Sequence, residues 1–250
     1  MKMKKITTIV LCVLMAAVML TGCVSVNFSP SGARSVTGSG SMEKFTFDFG
    51  QVNEIRVEMF CNVIYQSGSS NEVTFEIQPN LMDYIRVEES GGVLSVRSTR
   101  GFNLTNTSQT PVLTVSSPSL SSVTHAGAGR FTTTDTITGD SFALNITGAA
   151  DGKAELDIQN LSVNLAGAGN FELSGIADTA DVRMAGAGRL DALDLQTRTA
   201  SINLAGVGTV RIGCSDELRI NAGGVGTVEY RGSPSVDMTR GGLVTVRQVD

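Results

Sequence analysis

From about residue 120 to the C-terminus, apolar and polar residues alternate along the chain. The alternation is clearest where Leu161, Val163 and Leu165 are separated by Ser162 and Asn164. Residues that alternate with a period of two face opposite sides of a β-strand, so the pattern predicts strands with one buried face. The Ala-Gly-Ala-Gly stretch after Leu165 predicts a tight turn, because its small residues allow the backbone to bend sharply.

This combination of strand and turn recurs at a nearly constant interval. The first glycines of the turns are Gly127, Gly148, Gly167, Gly186, Gly206, Gly224 and Gly242. Successive differences between these positions are 21, 19, 19, 20, 18 and 18. A repeat of this length is typical of a solenoid, in which a single coil cannot bury its own apolar face. We therefore predict an all-β protein that forms one parallel β-helix or β-roll.

The glycines of the turns are predicted to be structural. Neighbouring coils of such a solenoid lie about 4.8 Å apart, which leaves little room for side chains where the chain bends. A Gly-x-Gly turn also occurs in phosphate-binding loops, but here neither the lysine nor the helix of such a loop follows it. The turn also recurs in nearly every coil, which a single nucleotide site does not require.

The segment 1–22 has the features of an export signal. Three lysines precede an apolar run over residues 6–20, which is too short for a retained membrane span. The run ends in Leu20-Thr21-Gly22-Cys23, which resembles the lipobox of bacterial lipoproteins. That resemblance implies cleavage between Gly22 and Cys23 and attachment of fatty acyl chains such as palmitate to Cys23. Several acyl chains on one residue anchor a protein firmly. An ordinary signal peptide with an incidental cysteine is the alternative.

The rest of the chain divides by composition. Residues 23–42 are rich in Ser and Gly and predict a flexible tether. Residues 43–250 predict one folded domain, with less regular coils and a cap at 43–118 and the seven repeats at 119–250. Removal of the signal removes three lysines, so 19 − 3 = 16 Lys and Arg residues remain against 24 Asp and Glu, a net charge of −8. Such an acidic body argues against nucleic acid as a partner.

Two carboxylates on adjacent coils are candidates for catalysis. Glu172 and Asp191 both follow their turn glycine by five positions, so they are predicted to lie one strand spacing apart, near the separation found in retaining glycosidases. However, Asp191, Arg211, Glu229 and Arg247 alternate in sign on successive coils, which predicts a solvated charge ladder. The sequence also lacks tryptophan, which forms sugar-stacking platforms. We therefore expect no catalysis, and a polysaccharide-active enzyme is the alternative.

Metal and cofactor sites are not expected. His125 is the only histidine, and it lies at an inward position, where a core residue is a better interpretation than a general base. The position after the second small residue of each turn does not carry the repeated aspartate of calcium-binding solenoids. Cys61 and Cys214 lie several coils apart and are expected to be buried thiols.

A polar column beside the turns is the candidate binding strip. It consists of Asn145, Asn164, Arg183, Asn203 and Asn221, each three positions before a turn glycine. Small residues, mostly alanine, border the turns and extend this strip. Such a surface is suited to an extended glycan, a peptide or a second copy of the protein. The alternative is that the Asn side chains only hydrogen-bond along the solenoid and that the alanines turn inward.

The chain resembles the head GIN domain family, described as auto-transporter adhesins. The resemblance lies in Phe60-Cys61-Asn62-Val63-Ile64-Tyr65-Gln66, in the segment from Asn80 to Val87, in Gly91-Gly92-Val93-Leu94 and in the Gly-Ala-Gly repeats. It covers residues 43–250 and implies a right-handed β-helix on exported bacterial proteins that are often lipid-anchored. It brings no catalytic motif.

We therefore expect a binding, adhesion or structural module on the exported side of a bacterial membrane. Its expected partners are the membrane itself, through the N-terminal lipid, and a glycan, an envelope protein or another copy of the chain. An envelope component with a structural or signalling role is the second alternative.

Overall fold

The computed structural model describes residues 34–105 and 109–250. The predicted signal peptide, Gly22, Cys23 and the first part of the tether lie outside the described residues. Strands dominate the rest, and the one helix among the described residues is the single turn α1 (Pro79–Met82).

Nine strands precede the repeats: β1 (Arg34–Thr37), β2 (Glu43–Phe47), β3 (Glu54–Val57), β4 (Asn62–Ser67), β5 (Glu72–Ile77), β6 (Ile85–Ser90), β7 (Val93–Ser98), β8 (Phe102–Thr105) and β9 (Val112–Ser117). Ten strands form the repeats: β10 (Ser122–His125), β11 (Ala128–Thr133), β12 (Ile137–Ile146), β13 (Ala149–Leu165), β14 (Ala168–Met184), β15 (Ala187–Leu204), β16 (Val207–Ala222), β17 (Val225–Arg231), β18 (Ser235–Arg240) and β19 (Leu243–Gln248).

The repeats stack as a parallel β-solenoid, so the predicted fold class is confirmed. Each long strand pairs in parallel with the equivalent strand of the next coil, as Val163 does with Val182 and Val182 with Ile202. The inward positions from β10 to β17 are buried, because coils above and below cover each apolar row, whereas Val236 and Met238 of the last coil are exposed. The core is therefore one continuous column of side chains that runs along the solenoid axis.

The turn glycines form a corner at which the backbones of successive coils come very close. A methyl group at Gly167 would overlap the carbonyl oxygen of Gly148, and one at Gly186 would overlap that of Gly167. The same holds at Gly206, where the obstructing atom is the Gly186 oxygen. We call this edge of the solenoid the glycine corner. Side chains are excluded there by the stacking itself.

One glycine outside the turns makes room for core aromatics. Gly152 lies between the equivalent residues Phe131 and Phe171 of the coils before and after it. A methyl group at Gly152 would meet the Phe171 ring and the Phe131 carbonyl oxygen. The buried rings of Phe131 and Phe171 thus share the space that three stacked side chains would otherwise occupy.

The first coils are not stacked in the order of the sequence. Strand β3 pairs with β10 on one side and with β7 on the other, so the coil of β3 and β4 lies between the coil of β7 and β9 and the first repeat. Met59 of this coil lies against Gly127. A cavity of about 340 Å³, bounded by Met59, Ser98 and Pro111, lies at the same corner. This space explains why residues larger than glycine are tolerated there.

Antiparallel strands cover the N-terminal end of the stack. Strand β6 pairs antiparallel with β7 on one face, and β5 pairs antiparallel with β9 and with β2 on another. Helix α1 also binds strand β1, since the Asn80 side chain donates to the carbonyl oxygen of Thr37 at 2.9 Å. Phe75 of β5 and Ile85 of β6 are buried, so these strands extend the core and close it at this end.

The strands begin earlier in the chain than the sequence predicts. The predicted tether extends to residue 42, whereas Arg34–Thr37 form β1, which pairs in parallel with β8. Val36 packs against the core and accounts for this difference, because a Ser- and Gly-rich composition hides a short strand with a single apolar contact.

Candidate functional site

The predicted binding strip forms one straight column on the outside of the solenoid. Asn145 pairs in register with Asn164, Asn164 with Arg183, Arg183 with Asn203 and Asn203 with Asn221. Asn145 and Asn164 are half-buried and the other three are exposed. We call this column, together with the outward residues two positions before it, the amide face.

The Asn side chains of the amide face are available to another molecule. Asn170, near the turn, donates its side-chain N–H to Asp151 of the preceding coil at 3.1 Å. Among the described residues, no such bond joins the amides of the strip to one another, although neighbouring coils would allow it. The interpretation of the strip as a ladder of stacked amides therefore loses its main support.

The C-terminal half of the amide face contains a shallow groove of about 380 Å³. Its walls include Arg183, Asn203 and Asn221 of the strip. The neighbouring outward residues Asp181 and Arg219 also line it, and Arg183 donates to Asp181 at 2.6 Å. The groove therefore offers amide, hydroxyl and paired charged groups side by side along several coils.

The small residues that border the turns face outward. The residues that follow the turn glycines form a column in register, the corner stripe: Ala128, Ala149, Ala168, Ala187, Val207, Val225 and Leu243. Val207 is 58% exposed and Leu243 is 80% exposed. The alternative that this column turns inward at the corner is thus wrong, because the crowded glycines occupy the inner positions.

A charge ladder crosses the last four coils beyond the glycine corner. Arg211 donates to Asp191 at 2.6 Å and to Glu229 at 2.7 Å. Arg247 in turn donates to Glu229 through Nε at 3.0 Å. The hydrogen bonds from Arg247 and Arg211 hold the pKa of Glu229 below its usual value, and they outweigh the opposing effect of burial. Each carboxylate of the ladder is therefore held in its charged form.

Glu172 and Asp191 stand in register on adjacent coils, as predicted. Burial alone would raise the pKa of Asp191, but hydrogen bonds from Arg189 and Arg211 outweigh it and lower the pKa. Lys153 lies 3.9 Å from Glu172, and both side chains are largely exposed. A general acid of a glycosidase needs a raised pKa and shelter from water, and Asp191 has the opposite shift while Glu172 lacks the shelter.

His125 and the two cysteines belong to the core. The Nε2 atom of His125 lies 2.9 Å from the carbonyl oxygen of Cys61, and the residue is fully buried. Burial lowers the pKa of His125 and raises the pKa of Cys61 to about 12. Cys61 and Cys214 are both free and buried. His125 and Cys61 are therefore inaccessible from solvent.

Metal clusters and membrane spans are the remaining classes of site. Over residues 34–105 and 109–250, His, Cys, Asp and Glu side chains form no cluster of three that would suit a metal ion. In the same part of the chain, no helix combines the length and the hydropathy needed to cross a bilayer.

A second concave surface was not foreseen from the sequence. It lies where β15 and β16 bulge away from each other, around Ile176, Leu193 and Gln196. Two signals mark it: the interval between turn glycines shortens after Gly206, and Ala192 and Leu193 break the alternation. Both signals show that the coil is irregular, but neither indicates on which side of the solenoid a cleft would open.

Comparison with known proteins places the chain in a family. The model of the family "Putative auto-transporter adhesin, head GIN domain" matches residues 51–234, so the chain belongs to this family. Among curated proteins, no match was found.

Solved structures share the fold. A putative adhesin from Bacteroides fragilis is 19% identical and superimposes with a TM-score of 0.79, over 86% of this chain and 100% of its own. A putative lipid binding protein from Parabacteroides distasonis is 22% identical with a TM-score of 0.68, over 87% and 100%. A putative adhesin from Parabacteroides merdae is 19% identical with a TM-score of 0.65, over 87% and 100%.

Proposed function

We propose that the protein is an exported, lipid-anchored binding module that attaches an extended polymer, a glycan or a polypeptide, to the surface of a bacterial cell. Cys23 carries the lipid, and the amide face carries the ligand. The family to which the chain belongs supports a role in adhesion. No catalytic step is part of this proposal.

The observation that carries the proposal is the amide face itself. An extended polymer offers repeated hydroxyl or amide groups, and the face offers repeated amides at one strand spacing, about 4.8 Å. The groove among Arg183, Asn203 and Asn221 gives such a polymer a concave track. The exposed corner stripe beside it adds apolar contact area, which strengthens binding without selecting charge.

The position of the anchor suits this role. Strand β1 lies at the capped end of the solenoid, where it pairs with β8 and binds α1. Residues 24–33 between Cys23 and β1 can span at most about 35 Å. The first strand would therefore stay within that distance of the lipid on Cys23.

The binding proposal is tested by placing charge on the amide face. Asn164→Lys combined with Asn203→Lys introduces two long cations in the track, and we expect attachment of cells displaying the protein to bacterial or host surfaces to fall at least tenfold. Thr138→Lys combined with Gln159→Lys is the matched control, because both residues are exposed and lie outside the amide face. Equal attachment by both double variants and by wild type would refute the amide face as the binding surface.

The anchor is tested separately by Cys23→Ser. We expect wild-type protein to incorporate labelled palmitate and to sediment with membranes, and the variant to lose the label and leave the membrane fraction. Retention of the variant in the membrane would contradict lipid anchoring, and it would leave the test of the amide face unaffected.

A further inference from the structure

The last coils carry an open cleft of about 770 Å³ on their surface, which we call the back cleft. Its residues precede those of the amide face in the sequence of each coil. It extends along the axis over four coils, from Ile176 through Gln196 and Cys214 to Gly232. Its volume falls within the range of about 300–1,000 Å³ that is usual for small-ligand sites. Neither the family nor the amide face accounts for it.

Two bulges create the back cleft. Between β15 and β16 the register passes from Ala192 opposite Ile212 to Gln196 opposite Gly213, so residues 193–195 have no partners in β16. It then passes from Thr197 opposite Cys214 to Thr199 opposite Glu217, which leaves residues 215 and 216 unpaired. Bulges of this kind redirect side chains and are frequent beside functional sites.

The bulge at residues 193–195 is held rigidly. Its carbonyl groups fold over Gly213, where a methyl group would come within 2.7 Å of the Leu195 oxygen. The buried hydroxyl of Thr197 donates to the Gly213 oxygen at 2.7 Å, and Arg231 donates through Nη1 to the Leu193 oxygen at 3.3 Å. The cleft is therefore built before a ligand arrives, which lowers the entropic cost of binding.

The cleft is lined by equal numbers of acidic and basic side chains. Asp178 and Asp194 oppose Arg198 and Arg231. Arg231 and Asp194 are 3.3 Å apart, and Arg198 lies 3.4 Å from Asp216 at the rim. An anionic or a cationic ligand would gain from one pair of residues and be repelled by the other. A neutral ligand with many donors and acceptors satisfies both.

The cleft also contains an apolar surface. Ile176 is 50% exposed, which is unusual for a large aliphatic side chain in a strand that otherwise buries them. It lies in register with Gln196, whose exposed amide can both donate and accept hydrogen bonds. An aliphatic surface beside an amide suits a sugar ring, which has one C–H face and a rim of hydroxyl groups.

From these features we infer that the back cleft binds a neutral oligosaccharide, with a sugar ring packed on Ile176 and its hydroxyls bound by Gln196, Arg198 and Asp194. The balanced charge selects neutral over acidic glycans, and the extent of the cleft over four coils favours two or more linked sugars. This site is separate from the amide face and stands whether or not the amide face binds a polymer.

The inference is tested with the lipidated full chain in detergent micelles. A panel of neutral hexose and N-acetylhexosamine oligosaccharides, of acidic oligosaccharides and of peptides is screened, and the best neutral glycan is titrated by calorimetry. We expect saturable binding of a neutral glycan that tightens with chain length. Ile176→Glu should weaken binding at least tenfold, because it removes the apolar surface and disturbs the charge balance. Gln196→Ala should weaken it several-fold.

Thr46→Lys, on the exposed side of strand β2 and outside both the back cleft and the amide face, is the control and should leave the affinity unchanged within twofold. Circular dichroism and thermal unfolding establish that each variant is folded, and both cleft residues have exposed side chains. The inference is overturned if no neutral glycan binds, if acidic glycans or peptides bind instead, or if Ile176→Glu and Gln196→Ala bind as tightly as wild type. A loss with the amide-face variant Asn203→Lys alone would assign the glycan to that face and likewise overturn it.

Discussion

The glycine corner differs in its constraints from the bend that forms the back cleft, which we call the back corner and which contains residues 193–197 and 213–217. At the glycine corner, each coil repeats the one before it so closely that a single methyl group at Gly167 or Gly186 would overlap a backbone oxygen. At the back corner, coils of unequal length lie on each other with unpaired residues on both strands. One corner keeps the stack in register, and the other tolerates change.

This difference explains where specific binding groups occur. The glycine corner repeats nearly the same residues on its outer side in every coil, so it gives rise to extended columns such as the amide face and the corner stripe. The back corner differs between coils, so it gives rise to a single cleft. The same repeat thus forms both extended outer columns and a single discrete cleft.

Insertions should show the largest contrast between the two corners. A Ser-Gly dipeptide inserted after Gly206 would break the backbone contact between Gly206 and Gly186, and we expect the last coils to unfold. The same insertion after Ser215 should cost less than about 1 kcal/mol, because Ser215 and Asp216 are exposed and pair with neither neighbouring coil. Chemical denaturation followed by circular dichroism measures both. Equal losses would mean that the corners are equally constrained.

Two neighbouring glycines provide a finer test of the glycine corner. A methyl group at Gly224 would overlap the oxygen of Gly206, whereas one at Gly223 meets nothing within 4 Å. We expect Gly224→Ala to lower the free energy of unfolding by about 2–3 kcal/mol or more, because a backbone neighbour must move. Gly223→Ala should change it by less than about 0.5 kcal/mol. Similar values for the two variants would contradict the role assigned to close stacking.

The charge ladder should contribute less than the corner. Arg211→Met leaves Asp191 and Glu229 without their shared partner, and we expect a loss of about 1–3 kcal/mol at low salt. Lys153→Met is the control, since its pair with Glu172 is long and exposed, and it should cost about 0–0.5 kcal/mol. Because the pKa values of Asp191 and Glu229 are lowered, the ladder stabilises the fold above about pH 4 and is lost as the pH falls below it. An equal loss for the two variants would show that the linked ion pairs of the ladder stabilise the fold no more than a single exposed pair does.

A weaker dependence of stability on pH is expected from His125, which lies two residues before the first turn glycine, Gly127. Burial lowers its pKa in the folded state, so the unfolded chain takes up a proton first as the pH falls through about 6.5. Stability should therefore be constant above that pH and decline below it, by at most about 1.4 kcal/mol per pH unit. Denaturation curves at pH 8, 7, 6 and 5 measure the slope, and a flat profile over this range would contradict a buried neutral histidine.

The sequence predicted the parts of the molecule that repeat. Val163, Val182 and Ile202 align in the sequence because they align in space, so strands, inward residues and glycine corners could be predicted together. The pairing of Glu172 with Asp191 followed from the same register. The spacing of the repeats alone was sufficient to predict these features.

Features without a repeat could not be predicted. Strands β2, β5 and β6 alternate like the others, and nothing in the alternation tells an antiparallel cap from a parallel coil. The insertion of the β3 and β4 coil between later strands depends on contacts between distant residues, such as Val57 with Val96. The back cleft depends on segment 193–195 of β15, which has no partners in β16 and whose position follows from packing and not from the spacing of the glycines.

Binding of an extended polymer by the amide face of an anchored solenoid is our main proposal. Its most direct test is capture from bacterial and host surface extracts by the lipidated protein in micelles, compared between wild type and the Asn164→Lys, Asn203→Lys double variant. We predict that wild type retains a specific glycan or surface polypeptide and that the folded double variant loses it at least tenfold. Equal capture by both, or no saturable ligand for the folded wild type, would contradict the claim.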